Sequence, residues 1–278
     1  MKEEPKRVLF VNSEIFPYLP ETTISKVGRY LPQGVQESGK EIRSFMPRYG
    51  CINERRNQLH EVIRLSGMNI VVNDVDRPLI IKVASISSAR MQVYFIDNDD
   101  YFYRKFVYGD EKEPFFADND ERANFFARGV LETVKKLRWK PDIIHCQGWI
   151  SHLVPIYLKK ACKDDPIFAD SKLILSLYDE VADEPFAADM ASKVTVPGIK
   201  AKDLEILKNP NGINLAKLAI QYANGIIIGS NALNTEIADA VANSGLPVLP
   251  YIDIDDPQNA YIEKYNSFYD QILSNNAI

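Results

Sequence analysis

Asp97-Asn98-Asp99-Asp100 gathers oxygen ligands of the kind that hold a divalent cation. Its spacing is not that of a calcium loop, and four polar residues before Tyr101 read more simply as a turn and a helix start. Arg48, Arg55 and Arg56 lie close enough in sequence to meet an anion, but their polar surroundings also suit a solvated face, which is the simpler reading. His145 ends a short apolar run; its side chain can transfer protons, yet a lone histidine at a strand end reads as a hydrogen-bonded structural residue. The chain contains no G-x-G-x-x-G, no Walker lysine, no H-E-x-x-H and no G-x-S-x-G. From these residues no cofactor and no metal are expected.

The elements that must position such residues follow from apolar periodicity. Val8 to Val11 is a short apolar run, a helix is predicted to begin among Glu21 to Ser25 and to end at Ser38-Gly39-Lys40, and Ile42 to Met46 is a second strand. In an open α/β sheet the loop after such a first strand lies at the carboxyl edge, where ligands bind. Pro47 to Gly50 reads as a turn and Asn53 to His60 as a loop or short exposed helix. NIVVNDV, LIIKVASI and MQVYFID, separated by polar or proline-containing turns, predict an antiparallel-leaning excursion between Ile70 and Asp97.

Phe115 to Leu137 contains the clearest helix, with Asp118 or Asn119 as cap and Phe125, Phe126, Val130, Val134 and Leu137 on one face. Asp142 to His145 is a buried strand, Ser151 to Lys160 a helix, Lys172 to Leu177 a strand, and Tyr178 to Gly198 a long loop. Helix at Asn211 to Ala223, strand at Gly225 to Ile228 and helix at Asn231 to Ala242 continue the alternation. This predicts an α/β fold: a doubly wound, mostly parallel sheet covered on both faces. The tail from Gly245 ends in a helix from about Pro257 to Leu273, whose tyrosines need a surface, so it is expected to pack back across the domain.

Composition narrows the class. At 278 residues, with 46% hydrophobic and 26% charged, the chain can bury a large core, and one domain spanning residues 1–278 is expected. A net charge of -5 gives no overall electrostatic attraction to nucleic acid. Cys51, Cys146 and Cys162 are too few and too scattered for a disulfide framework or a structural zinc site. The opening MKEEPKR leads into too short an apolar run for a signal peptide, and no stretch is long enough to span a membrane, so a cytoplasmic protein is expected.

In order along the chain, VLFVNSEIFPYL, GRYLP, MPRYG, VYFIDNDDYF, WKPDIIHCQGW with LVPIYLK, and INLAKLAIQYANGIIIGS resemble landmarks of the N-terminal domain of bacterial glycogen synthases and plant starch synthases, glycosyltransferase family five. The resemblance runs from residue 7 to about residue 238, with residues 245–278 as a tail. It implies the Rossmann-like N-terminal half of a two-domain GT-B fold. It also implies retaining transfer of glucose from ADP-glucose to an α-1,4-glucan without a metal.

Against that family pattern three sites differ. The family's K-T-G-G-L, whose lysine neutralises phosphate and whose glycines admit it closely, reads Pro20, Glu21, Thr22, Thr23 and Ile24 here. The family's H-D-W, beside the transferred glucose, reads Gln147, Gly148 and Trp149, and its I-H-N reads Leu177, Tyr178 and Asp179. The chain ends about 40 residues past the last landmark, too few for the domain that supplies most donor contacts in the family. The expectation is a protein of α-glucan metabolism that is weak or inactive alone as a glucosyltransferase. The alternative is a glucan-binding, regulatory or subunit-interaction module, with Tyr18 and Trp149 offered to sugar rings and a nucleotide sugar, an α-glucan, a separate subunit or a second copy as partner.

Overall fold

Val8, Leu9, Phe10 and Val11 are fully buried, and alternate side chains of this strand enter different cores. A strand covered on both faces needs an unbroken apolar run, which is why the sequence shows no polar alternation here. In the computed structural model, residues 4–181 and 183–274 are described; the start of the MKEEPKR lead-in, residue 182 of the Tyr178 to Gly198 loop and residues 275–278 of the tail lie outside them.

In chain order the elements are β1 (Arg7–Asn12), α1 (Thr23–Glu37), β2 (Glu41–Pro47), β3 (His60–Glu61), β4 (Met68–Val72), β5 (Val75–Ile86), β6 (Met91–Asp97), α2 (Asp99–Phe102) and α3 (Asn119–Leu137). There follow β7 (Ile143–Gln147), α4 (Val154–Ile156), β8 (Lys172–Leu177), α5 (Met190–Val194), α6 (Gly212–Gln221), β9 (Gly225–Ile228), α7 (Thr235–Ala242), β10 (Val248–Leu249) and α8 (Tyr261–Ser274). The ten-stranded sheet runs β10-β9-β8-β7-β1-β2-β6-β5-β3, with β4 paired to β5. Every pair from β10 to β6 is parallel; β5 is antiparallel to β6, and β3 and β4 are antiparallel to β5. This is the doubly wound α/β sheet expected from the strand and helix alternation.

Strand order reverses at β1, which lies between β2 and β7. The chain leaves β1 toward β2 on one side and leaves β7 toward β8 on the other, so the loops after β1 and β7 diverge at their carboxyl ends, which is where such sheets open a crevice. On one face, α1 and α8 cover Val8, Phe10, Ile143, Ile174 and Ile227. The helix α8 lies back across the sheet as predicted, and its Tyr265, Phe268, Tyr269 and Ile272 are buried. Two glycines permit the approach: a Cβ on Gly34 would meet Ile262 Cγ2 at 2.4 Å, and one on Gly225 would meet Ile272 Cδ1 at 2.8 Å.

Several local expectations are corrected. NIVVNDV is not one strand: Asn73 and Asp74 take φ of 52° and 58° and turn a hairpin between β4 and β5, the left-handed pair that a two-residue hairpin loop requires. Pro78, expected in a turn, sits inside β5; it lies beyond the β6 ladder, which starts at Ile80, so its missing N–H costs no bond to β6. Ser151 to Lys160 is not a regular helix. Trp149–Ser151 is a 3-10 turn, Pro155 stands at the start of α4, and Tyr157–Ala161 is a π turn closed by Cys162 N–H donating to the Tyr157 carbonyl at 2.9 Å. A 3-10 helix at Ala201–Lys208, which buries Leu204 and Leu207, and the short strand β10 were not anticipated. The last helix begins at Tyr261, after a break at Ala260 with φ 46°.

The polar clusters resolve into structural roles. Asn98 caps α2, its carboxamide oxygen accepting from the N–H groups of Asp100 and Tyr101. Asp97 is buried between Arg48 Nε and Lys82 Nζ, each at 2.9 Å, and Asp100 pairs with Arg77 at 2.6 Å. Among the described residues no group of three or more His, Cys, Asp or Glu is placed to hold a metal ion, and no helix is long and apolar enough to cross a membrane.

His145 is a buried structural residue: its Nε2 is 2.6 Å from Ser176 Oγ and its Nδ1 2.8 Å from the Tyr269 hydroxyl. It joins β7 to β8 and to α8. Burial pushes the imidazole pKa down to about 3, so the ring is neutral in the fold. His152 is likewise buried and lowered to about 3. A depressed histidine stabilises the fold fully above its unfolded value, near 6.5, and that contribution is lost as pH falls toward 3. Acid unfolding monitored across this window should therefore begin below about pH 6.5, and a His145→Asn, His152→Asn variant should show a flatter pH dependence there.

Candidate functional site

The crevice beyond β1, β7 and β8 brings together residues from four segments. Glu14 follows β1, Thr22 caps α1, Gln147 ends β7 with Gly148 next to it, and Glu180 lies three residues past β8. The loop residues Pro20, Glu21, Thr22 and Thr23 are exposed, and they form a helix start rather than an open glycine loop. Thr22 and Ser25 make a capping box: Ser25 N–H donates to Thr22 Oγ1 at 3.0 Å, and Thr22 N–H donates to Ser25 Oγ at 2.8 Å. The Thr22 hydroxyl donates to Glu14 Oε2 at 2.7 Å, so a carboxylate stands at the amino end of α1.

No cation offsets it among the described ion pairs. Lys26 is paired with Asp255, and Arg29 is bonded to Gln33 and Ser88. Burial raises the Glu14 pKa, with the Thr22 hydrogen bond pulling the other way.

Gln147 is fully buried, and its Nε2 donates to the Ile24 carbonyl at 2.7 Å, tying β7 to the first turn of α1. Gly148 has φ 83° and ψ 153°, a region that excludes side chains, and a Cβ there would lie 2.0 Å from Ser13 Oγ. The Trp149 N–H donates to Glu180 Oε2 at 3.0 Å. Burial, then the neighbouring Glu14 carboxylate, push the Glu180 pKa up to about 8, against the Trp149 hydrogen bond. The two glutamates are therefore coupled across the crevice.

A raised carboxyl holds its proton in the fold after the unfolded chain has released it. Its contribution to stability is complete below about pH 4.5 and is lost as pH rises through about 8. Above the window in which the histidines titrate, stability measured by denaturant titration should fall from about pH 6.5 to about pH 8, and Glu180→Gln should remove most of that slope.

Trp149 is buried, its ring packed against Tyr108, Phe115 and Phe186 at centroid distances of 5.0, 5.6 and 5.5 Å, with no acceptor for its Nε1. Tyr108 and Phe115 continue from this cluster into an open groove of about 490 Å³ that Glu180, Asp183 and Glu184 also line. Tyr18 stands apart, edge-on to Phe95 at 4.9 Å, with its phenol pushed up to about 12 by burial. Tyr178 is buried against Gly229, where any Cβ would meet its ring at 2.4 Å, and its hydroxyl has no acceptor; burial raises it strongly. Asp179 is exposed, and its N–H donates to Ser230 Oγ at 2.9 Å.

Sequence reasoning named Gln147, Gly148, Trp149 and the Pro20 to Thr23 loop but missed Glu14, Glu180, Tyr108 and Phe115. Glu14 carried a usable signal, since it stands two residues beyond a strand end at the carboxyl edge. Nothing in the sequence pairs it with Glu180.

The comparisons with known proteins agree with this architecture. Residues 7–248 match the family model of the starch synthase catalytic domain. The chain is 37% identical over 174 residues to a glycogen synthase of Chlorobium limicola, covering 62% of this chain and 36% of that protein. It is 31% identical over 233 residues to a glycogen synthase of Chlorobaculum parvum, covering 84% and 47%. The chain thus spans about half or less of the length of these curated relatives. The catalytic domain of starch synthase IV from Arabidopsis thaliana, solved with ADP and acarbose, shares the fold, with a TM-score of 0.70 at 16% identity over 90% of this chain and 52% of that one. On the family match over most of its length, the chain belongs to the starch synthase catalytic domain family.

Proposed function

We propose that this chain is a glycogen- or starch-synthase-like protein of α-glucan metabolism in which transfer from ADP-glucose is weak or absent for the chain acting alone. One observation carries the reading: at the amino end of α1, the side chain facing the crevice is the carboxylate of Glu14, held by Thr22, with Lys26 and Arg29 both engaged elsewhere. A diphosphate brought there meets negative charge without a compensating cation. A lost hydrogen bond to a charged group is worth roughly 1.5–3 kcal/mol, so donor affinity is expected to be at least about tenfold weaker than with a lysine in the loop.

Calorimetric titration of ADP-glucose, and transfer assays with ADP-glucose and a maltooligosaccharide, test this. Binding no tighter than millimolar and transfer at the level of the blank are expected. Turnover comparable to that of a family member carrying K-T-G-G-L overturns it.

A second reading rests on the groove beside Trp149. Aromatic side chains at Tyr108 and Phe115 with the carboxyl groups of Glu180 and Glu184 suit a sugar, whose C–H faces stack on rings and whose hydroxyls exchange hydrogen bonds with carboxyl oxygens. As a glucan-binding or regulatory module, the chain should bind maltooligosaccharides with a dissociation constant that rises on Phe115→Ala. The buried Trp149 would then act by supporting this surface, while Tyr18, packed on Phe95 apart from it, would take no part.

A further inference from the structure

At the opposite, amino-terminal edge of the sheet, the start of β2, the end of β5 and the start of β6 enclose a cavity of about 410 Å³. Arg43 and Arg90 line it with the serines Ser85 and Ser87, the amide of Gln36 and the ring of Tyr94, and no Asp or Glu lines it. Neither arginine has a carboxylate partner among the described ion pairs. The nearest acids in sequence are spoken for: Glu41 takes Arg7 at 2.9 Å and the Trp139 indole, and Glu37 accepts from Gln33 at 2.8 Å.

The Arg43 guanidinium is held in place without being neutralised. It lies over the Trp139 and Tyr94 rings, 5.2 and 5.6 Å from their centroids, and donates to the Tyr94 hydroxyl. Its Nε is buried and has no acceptor. Stacking on aromatic faces fixes the plane of the fork at little cost in hydration. Arg90 is exposed, its side chain makes no described bond, and its backbone takes φ 50°, a conformation that glycine adopts more easily. Two unpaired arginine forks, flanked by serine hydroxyls and an amide, match the donor set for a phosphate, whose oxygens accept bidentate pairs. The cavity exceeds what bare phosphate needs, and Ile86 and Met91 supply an apolar wall.

We propose that this pocket binds a phosphate monoester of a small molecule, at a site separate from the crevice beyond β1 and β7. Calorimetry on the full chain with inorganic phosphate, glycerol 3-phosphate and, as a control, glycerol tests the assignment. Saturable binding of the two phosphates but not of glycerol is expected, with the ester the tighter of the two. Arg90→Gln, at an exposed position, should raise the dissociation constant about tenfold or more while leaving the unfolding midpoint without ligand unchanged. Arg90→Lys should recover only part of the affinity, because a point charge cannot make the bidentate pair. No saturable binding up to about 10 mM overturns the proposal. So does an Arg90→Gln protein that binds as tightly as the original, since the phosphate would then sit elsewhere.

Discussion

A chain cut after Asp256 should lose its cooperative unfolding transition and bind an apolar dye in the absence of denaturant. The cut removes α8, and with it the buried side chains of Tyr265, Phe268, Tyr269 and Ile272. It leaves the face that carries Val8, Phe10, Ile143, Ile174 and Ile227, from four central strands, covered by α1 alone of its two helices. Burial of side chains of this size contributes about 1.5–3 kcal/mol each, roughly 6–12 kcal/mol together. That is comparable to the whole stability of a typical domain, about 5–15 kcal/mol. Polar ties are lost as well: Lys40 to Asp270 at 2.9 Å and to Asn266 at 2.8 Å, and the Tyr269 hydroxyl to His145. Tyr269→Phe is the graded version. It keeps the ring but leaves His145 Nδ1 buried without a partner, which should cost about 1–3 kcal/mol in a denaturant titration. A truncated chain that unfolds with an unchanged midpoint would show that α8 is dispensable.

The same helix shows how much of the structure was readable beforehand. Lys172 to Leu177 and Gly225 to Ile228 were legible as strands to the residue, because each is an apolar run with a polar or helical boundary on either side. The aromatic content of the tail announced that it needs a surface, and Tyr265, Phe268 and Tyr269 are the aromatics that it buries, whereas Tyr251 stays exposed. Pro78 misled, because a proline weighs against a strand locally, whereas its acceptability depends on where the neighbouring ladder begins. Ser151 to Lys160 misled for the opposite reason: its apolar pattern is helical, but Pro155 and the π turn at Tyr157 break the hydrogen-bond ladder.

In the crevice, the altered positions Pro20 to Thr23, Gln147 and Gly148 could be found by matching motifs. What surrounds them could not. Glu14 and Glu180 are far apart in sequence, and their electrostatic coupling exists only because the loops after β1 and β8 converge. Arg43 and Arg90 meet in the same way, through the pairing of β2 with β6.

Restoring the family's aspartate by Gly148→Asp should destabilise the protein by several kcal/mol and should not restore transfer. Two costs are separable. The backbone at φ 83°, ψ 153° is nearly closed to any residue with a side chain, a strain of about 1–3 kcal/mol. The new Cβ would lie 2.0 Å from Ser13 Oγ and 2.6 Å from Ser13 Cβ, and forcing atoms into a filled space typically costs about 1–3 kcal/mol. Ser13 cannot simply turn away, because its Cβ clashes as well as its hydroxyl. The added carboxylate would also arrive beside Glu180, whose Oε2 is 3.5 Å from the Cβ position and whose pKa is already raised by burial and then by Glu14. The double variant Ser13→Gly, Gly148→Asp separates these contributions, since it relieves the clash and leaves the backbone strain. A double-mutant cycle on unfolding free energies should therefore give a favourable coupling between the two changes of about 1–3 kcal/mol, with residual destabilisation from the dihedral angle. Additive effects, or a Gly148→Asp protein as stable as the original, would mean that the loop after β7 adapts freely and that Ser13 does not exclude the side chain.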